Sequence, residues 1–272
     1  MNAPTSPPAS SSGTSEAGTI GTTFIDGIAR LTLNNPRRKN AINLDMAAAV
    51  VEFCDRVTDD LSIGAVIVDA AGPYFCSGAD TRDLAASSAD PASPEAVRRT
   101  SAVYGSFVRV GELPVPTVSV VVGGAVGAGL NLALATDMLI TTPESLLESG
   151  FLARRIHPGG GHLALLGRKV GWSTTIAMAT CGASMTGSEA VERGLAHAAV
   201  AAEEIASYAE QLVAPAAEDP ELTRRILRSA RLELGPPAVS LPSALEIERG
   251  VQMWSMSRKG KQAWSSRGPQ RS

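Results

Sequence analysis

From Leu113 to Thr136 the chain runs for 24 residues without a charged side chain. A stretch that long and apolar can in principle cross a membrane as a helix. Its interior argues otherwise. Pro114 and Pro116 open it, Gly123, Gly124, Gly127 and Gly129 break its middle, and its first half is β-branched (Thr117, Val118, Val120, Val121, Val122). A buried strand, a glycine turn and a buried helix from about Ala128 fit this pattern better than a membrane span. The chain must therefore supply further strands and helices to cover both elements.

The rest of the sequence does so by alternation. Thr22–Asp26 and Ile28–Leu33 flank Asp26-Gly27, a hairpin signal. Asn43 can cap a helix from Leu44 to about Thr58, with Met46, Val50, Phe53 and Val57 on one face. Ala65–Ala70 is a continuous apolar run, the mark of a strand buried on both faces. A short helix at Asp80–Ala86, a polar link at Ser87–Pro94, a helix over Glu95–Leu113 and a strand at Met138–Thr141 follow. Ser173–Thr180 and Ser188–Arg193 read as helices, the second ended by Gly194. After Glu203 the pattern is helical, broken at Pro215, Pro220 and Pro236-Pro237. The expectation is an α/β core over residues 19–200 and a helical region over 201–272.

Residues 1–18 are rich in Ser, Pro, Ala and Thr and contain no Leu, Ile, Val or Phe. They read as a disordered tail, without the apolar run of a secretory signal. The formal net charge of −3 gives no case for nucleic acid. Five cations and no acid lie between Val251 and Ser272, leaving about −8 on the remainder. Cys54, Cys76 and Cys181 are scattered, which suits a reducing, cytoplasmic setting, and with His157, His162 and His197 they form no metal-ligand spacing.

Chemistry is expected where buried strands end in glycine. Phe75-Cys76-Ser77-Gly78-Ala79-Asp80 and Gly123-Gly124-Ala125-Val126-Gly127-Ala128-Gly129 each follow a buried strand and precede a helix. Glycine admits close approach to backbone, and a helix start carries unused N–H groups. Two such donors converging on one oxygen make an oxyanion hole. A dinucleotide loop is a poorer reading, because the spacing is GxxGxG and the nearest acid, Glu144, stands 15 residues past Gly129. Neither a Walker A pattern nor a GxSxG elbow is present.

These segments resemble those of the enoyl-CoA hydratase/isomerase (crotonase) superfamily. Asn35-Pro36-Arg37-Arg38-Lys39-Asn40-Ala41-Ile42-Asn43 is similar to its N-P-x-x-x-N-A-[LI]-[ND] segment, and Phe75–Asp80 to its F-[CS]-x-G-[AG]-D segment. Val122–Asp137, Pro158-Gly159-Gly160-Gly161, and Thr186–Ala190 with Gly194-Leu195-Ala196 resemble further motifs in the family's order, and Gly260–Pro269 is a weaker echo of its C-terminal pattern. The resemblance spans about residues 20–269. It implies a spiral of strand–strand–helix units, C-terminal helices that form a homotrimer or dimer of trimers, and no cofactor beyond the coenzyme A of the substrate. It also implies an acyl-CoA thioester as ligand, its carbonyl held by the N–H groups of Ala79 and Ala128. Gly127 and Gly129 would permit close approach at the second donor. Ala41, Gly78 and Asp80 fall at substrate-binding positions, with Asp80 also placed to cap the following helix. Arg38, Lys39 and Arg267 resemble positions near the nucleotide end of coenzyme A.

The departures bear on the chemistry. Hydratases of this family use two glutamates, and the alignment puts Asn131 and Phe151 at those positions. Neither an amide nor a phenyl ring exchanges protons near neutral pH. Glu148, three residues before Phe151, and His157, just before Pro158, are the alternative proton carriers. Cys76 stands where the family often has an unreactive cysteine. Tyr74, Trp172 and the stripe Val103, Phe107, Val110 read as core or acyl-pocket material. Three functions stay open: hydratase- or isomerase-type chemistry with a non-standard proton carrier, a non-catalytic acyl-CoA carrier, and a decarboxylase or thioester hydrolase.

Overall fold

The structure, a computed structural model, describes residues 19–88 and 90–235 together with residue 243. The tail over 1–18, the Pro236-Pro237 break and Arg267 lie outside the described residues. The chain opens with the hairpin β1 (Thr19–Ile25) and β2 (Ile28–Asn34), turning at Asp26-Gly27. Helix α1 (Leu44–Asp59) follows. Asn43 caps it by accepting the Met46 N–H at 2.7 Å, and Met46, Val50, Phe53 and Val57 are all buried.

Next come β3 (Ala65–Ala70), α2 (Thr81–Ser88), α3 (Pro94–Gly111), β4 (Thr117–Val121), β5 (Gly124–Val126) and α4 (Ala128–Ala135). They are followed by β6 (Met138–Thr141), β7 (Leu146–Glu148), α5 (His162–Cys181, interrupted at Gly171), β8 (Ser184–Thr186), α6 (Gly187–Glu192) and β9 (Ala198–Ala199). Two helices, α7 (Ile205–Glu218) and α8 (Pro220–Leu234), complete the described chain.

The strands form two sheets by a repeated step. The large sheet runs β1-β2-β3-β4-β6-β9, antiparallel only at the hairpin, and the small one runs β5-β7-β8. After β4 the chain enters the small sheet as β5 and returns through α4 to β6; after β6 it enters the small sheet again as β7, α5 leads to β8 of that same sheet, and α6 returns it to β9. The turn after β3 is the rudiment of this step, since Cys76 bridges in parallel to Ala125 of β5 before α2 and α3 begin. This is the strand–strand–helix spiral that the resemblance implies.

Strand alternation decides which layer each residue joins. Val66, Val68 and Val121 face the main core with Leu31, Leu33, Met46 and Phe107. Ala65, Ile67, Val118, Val120 and Ile140 face the opposite side and pack on Ile205, Ala209 and Val213 of α7. Arg30 on β2 binds both Asp69 on β3 and Glu210 on α7, so Asp69 is structural.

Two expectations need correction. Pro215 does not break its helix; α7 continues to Glu218. A proline removes one N–H and crowds the preceding turn, but Pro215 lies in the last turn of a helix whose Val213 and Ala216 are packed against the sheet. The expected break at Pro220 is present: α7 ends at Glu218 and Pro220 starts α8, with Asp219 accepting the Leu222 N–H. Trp172 is 82% exposed, just beyond the interruption at Gly171, and belongs to neither core nor pocket.

The joint between the hairpin and the rest is Asn40. It is fully buried with φ +54°. Its Oδ1 accepts the Asn35 N–H at 2.7 Å, and its Nδ2 donates to the carbonyls of Ala71 (2.9 Å) and Tyr74 (2.7 Å). Replacing it by alanine would take the partner from three backbone groups, one buried and two part-buried, and put a residue less tolerant of the left-handed region there. Asn40→Ala is expected to lower the unfolding free energy by about 3–5 kcal/mol in denaturant titration. A loss below about 1 kcal/mol would contradict this account.

Candidate active site

A cleft of about 220 Å³ opens between the 77–80 loop and the start of α4. The loop is held in place by backbone pairing. Ile42 N–H donates to the Gly78 carbonyl and Asp80 N–H to the Ile42 carbonyl, so the Ala79 N–H between them points away from that bridge. On the facing side Gly127 precedes α4 with φ +56° and ψ −117°, a backbone state only glycine holds without strain. That turn leaves the Ala128 N–H at the first helical position, ahead of any intrahelical acceptor. Neither the Ala79 nor the Ala128 N–H has an acceptor among the described residues. A side chain built on Gly78 would come within 3.8 Å of Ala128 N and 3.1 Å of the Val126 carbonyl, so the two loops are in near contact.

Arg38, Ala41, Gly78, Ala79, Asp80, Gly127, Ala128, Asn131, Phe151 and His157 all line this cleft, as the resemblance implies. Asp80 is buried and caps α2, accepting the Arg82 N–H at 2.8 Å. The Arg82 guanidinium also binds its carboxylate and holds its pKa below the usual range; Arg38 lies 3.8 Å away. His157 is exposed at the rim. Its Nδ1 lies 2.7 Å from the Pro158 carbonyl, which can only accept, so Nδ1 carries a hydrogen and Nε2 of the neutral ring is an open acceptor.

Three expected residues stand elsewhere. Lys39 does not line the cleft; a left-handed turn (φ +47°) sends its Nζ over the Tyr74 ring, 5.0 Å from the centroid. Gly129 does not line it either. A Cβ there would strike the Cys76 carbonyl at 2.4 Å, so this glycine serves the packing of α4 on the Cys76 segment. Glu148 ends β7 outside the cleft wall, which Gly150 begins. Its carbonyl accepts the Gly127 N–H, and its carboxylate, after burial, raises the Tyr74 phenol pKa. Arg267 lies outside the described residues. Cys76 is inert: it is fully buried, its Sγ–H donates to the Asn40 carbonyl, and burial pushes its thiol pKa up to about 12.

Sequence reasoning missed the partners of Asn131. Its Nδ2 donates to the Gly159 carbonyl at 3.0 Å, and its Oδ1 meets His162 Nδ1 at 2.7 Å. His162 Nε2 in turn meets Ser149 Oγ at 2.7 Å. The three residues are at most 2% exposed. They are separated by 13 and 31 positions, so no local spacing links them. Tyr104 and Arg154 also line the cleft without a sequence signal. Among the described residues, no group of three His, Cys, Asp or Glu side chains is placed to hold a metal, and no helix is long and apolar enough to cross a membrane.

Burial lowers the His162 pKa from 6.5 to about 4. Between those values the unfolded chain binds a proton that the folded chain does not, so stability rises with pH across the window and is lost as pH falls through it. The contribution amounts to about 3 kcal/mol between pH 7 and pH 4. His162→Gln is expected to flatten this part of the stability profile in denaturant titrations at the two pH values. A wild-type profile no steeper than the variant's would contradict burial as a neutral ring.

Comparison with known proteins gives this geometry a context. The model of the enoyl-CoA hydratase/isomerase family matches residues 23–266. A probable enoyl-CoA hydratase of Mycobacterium tuberculosis, EchA14, is 35% identical over 232 residues, covering 84% of this chain and 89% of the relative. The 1,2-epoxyphenylacetyl-CoA isomerase of Escherichia coli is 30% identical over 231 residues, covering 83% of this chain and 86% of its own. The crystal structure of an enoyl-CoA hydratase from Polaromonas sp. JS666 superposes with a TM-score of 0.79 at 22% identity, over 88% of this chain and 91% of the other. The fold is thus that of the crotonases, and the chain belongs to the enoyl-CoA hydratase/isomerase family.

Proposed function

We propose that this family member binds an acyl-CoA thioester with its carbonyl oxygen between the N–H groups of Ala79 and Ala128, and processes it without the usual pair of glutamates. One observation carries the reading: two peptide donors without acceptors stand on facing loops of one cleft. Preorganised backbone donors stabilise the negative oxygen that develops when a thioester becomes enolate-like, and they need no reorganisation to do so.

The proton carrier is the unusual part. Asn131 and Phe151 occupy the cleft where a hydratase would place carboxylates. Asp80 is the one carboxylate among the described lining residues, and Arg82 already engages it. His157, with its open Nε2 at the rim, is the group best placed to take and return a proton. This favours hydratase- or isomerase-type turnover through His157 over a carrier that only binds.

The same reading takes the molecule as a homotrimer or dimer of trimers. Helix α8 has no buried residue, and Ile226, Leu232 and Leu234 are 54–81% exposed. Apolar side chains on one helix commonly find cover in a partner. Light scattering is expected to report a trimer or hexamer at micromolar concentration; a monomer would refute this.

Isothermal titration is expected to show a CoA thioester binding more tightly than free CoA, and failure at every chain length tested would end the proposal. Each missing general acid or base costs about 10²–10⁴ in rate, without simple multiplication. Crotonyl-CoA hydration should therefore run at least ~10³-fold below that of a two-glutamate relative, about 4 kcal/mol in barrier. His157→Gln should reduce the residual rate by about 10² further. Ala128→Pro, which deletes one donor at a position where proline suits a helix start, should cost a similar factor. Hydration at ordinary enzyme rates, or a His157→Gln variant as active as its parent, would reject the assignment of the proton carrier.

A further inference from the structure

Arg38, Asp80, Arg154 and His157 bring charge or a titratable ring to the cleft wall. Three of them are already engaged. Asp80 binds Arg82 and stands 3.8 Å from Arg38, and the His157 Nδ1 hydrogen is directed to the Pro158 carbonyl. The Arg154 guanidinium has no hydrogen bond or ion pair among the described residues.

The local backbone puts it there. The Arg154 and Ile156 N–H groups both donate to the Phe151 carbonyl, at 3.0 and 3.2 Å, and Arg155 between them takes φ +56°. A side chain other than glycine is uncommon in that left-handed region. The reversal brings Phe151, Arg154, Ile156 and His157 to the cleft wall and leaves Leu152, Ala153 and Arg155 off it. Phe151 in turn stands beside the start of α4, since a Cβ on Gly127 would lie 3.8 Å from its ring. Arg154 thus shares one turn with the ring next to the Ala128 donor, whereas Arg38 stands with Asp80.

Helix α3 supplies a second free donor to the same cleft. The Tyr104 hydroxyl stands against Gly159, where a Cβ would come within 2.1 Å of it, and it has no hydrogen-bond partner among the described residues. Burial raises the phenol pKa, so the hydroxyl keeps its hydrogen at neutral pH. Leu84, Phe151 and Ile156 add apolar wall. A guanidinium and a hydroxyl donor set among apolar side chains, with no carboxylate left to pair with them, call for an anion with oxygen acceptors. A carboxylate on the acyl chain and a phosphate of the coenzyme both have that chemistry. The shared turn with Phe151 favours the carboxylate.

We infer that the cleft takes the CoA thioester of a dicarboxylic acid, with the distal carboxylate of the acyl chain bound by Arg154 and hydrogen-bonded by Tyr104. This rests on the acyl-CoA reading above and narrows its substrate class.

Titration calorimetry tests it with succinyl-, glutaryl- and adipyl-CoA against butyryl-, valeryl- and hexanoyl-CoA, each pair matched in carbon number. At least one dicarboxylic ester is expected to bind about tenfold more tightly than its uncharged match, the effect of a hydrogen bond to a charged group. Arg154→Gln should bring that ratio close to one. Arg154 is exposed, so its replacement spares the fold. Tyr104→Phe should reduce the ratio about two- to fivefold. A ratio that either variant leaves unchanged would overturn the inference. An equal loss in Arg154→Gln for both members of each pair and for free CoA would assign Arg154 to the coenzyme phosphates and overturn it too. A ratio of one or below at every length, with the uncharged esters bound, would overturn it and leave the acyl-CoA reading in place. Binding of no ester would reject that reading and the inference together.

Discussion

Asn40 holds the cleft together from a distance. Its amide ties the turn after β2 to the loop after β3, spending one acceptor and two donors on three backbone groups, one buried and two part-buried. With that tie made, Lys39 and Ile42 can pair with Ser77, Gly78 and Asp80, and the Ala79 peptide is left facing the cleft. The Cys76 thiol donates to the Asn40 carbonyl and completes the joint. A polar side chain fully removed from water is tolerable only when its hydrogen-bonding capacity is met, and here meeting it is what aligns one half of the site.

The other half depends on steric permission rather than attraction. α4 can approach the Cys76 segment because Gly129 has no Cβ, and it can begin at Ala128 because Gly127 adopts a conformation closed to other residues. The two donors of the cleft are thus backbone atoms set by packing on both sides. Side chains around them can vary without disturbing them.

A division of labour follows around the wall. His157 is at the rim, with an imidazole nitrogen open to solvent and ligand. His162 is sealed behind Asn131, and burial drives its pKa to about 4 and keeps it neutral. Two histidines five residues apart therefore sit in opposite environments, one exposed at the rim and one sealed and kept neutral by burial.

Patterning along the chain determined the α/β order, the hairpin, the Asn43 cap, the two-faced burial of β3 and β4, and the two glycine turns, because each of these is written in local spacing. Local spacing also marked the two glycine loops as places with unused N–H groups, since a strand that ends in glycine before a helix leaves such groups wherever it occurs; the choice of Ala79 and Ala128 within them came from the family resemblance. Tertiary structure alone decided the rest. A left-handed turn sent Lys39 to Tyr74, the interruption at Gly171 left Trp172 in solvent, and packing of α7 on the sheet carried a helix through Pro215. Glu148 fell outside the wall because β7 ends there and the cleft begins two residues later. The link from Asn131 to His162 spans 31 positions and exists only where α4 meets the start of α5. Hydrogen-bond partners that distant are chosen by how the layers stack, and no periodicity in the sequence records that choice.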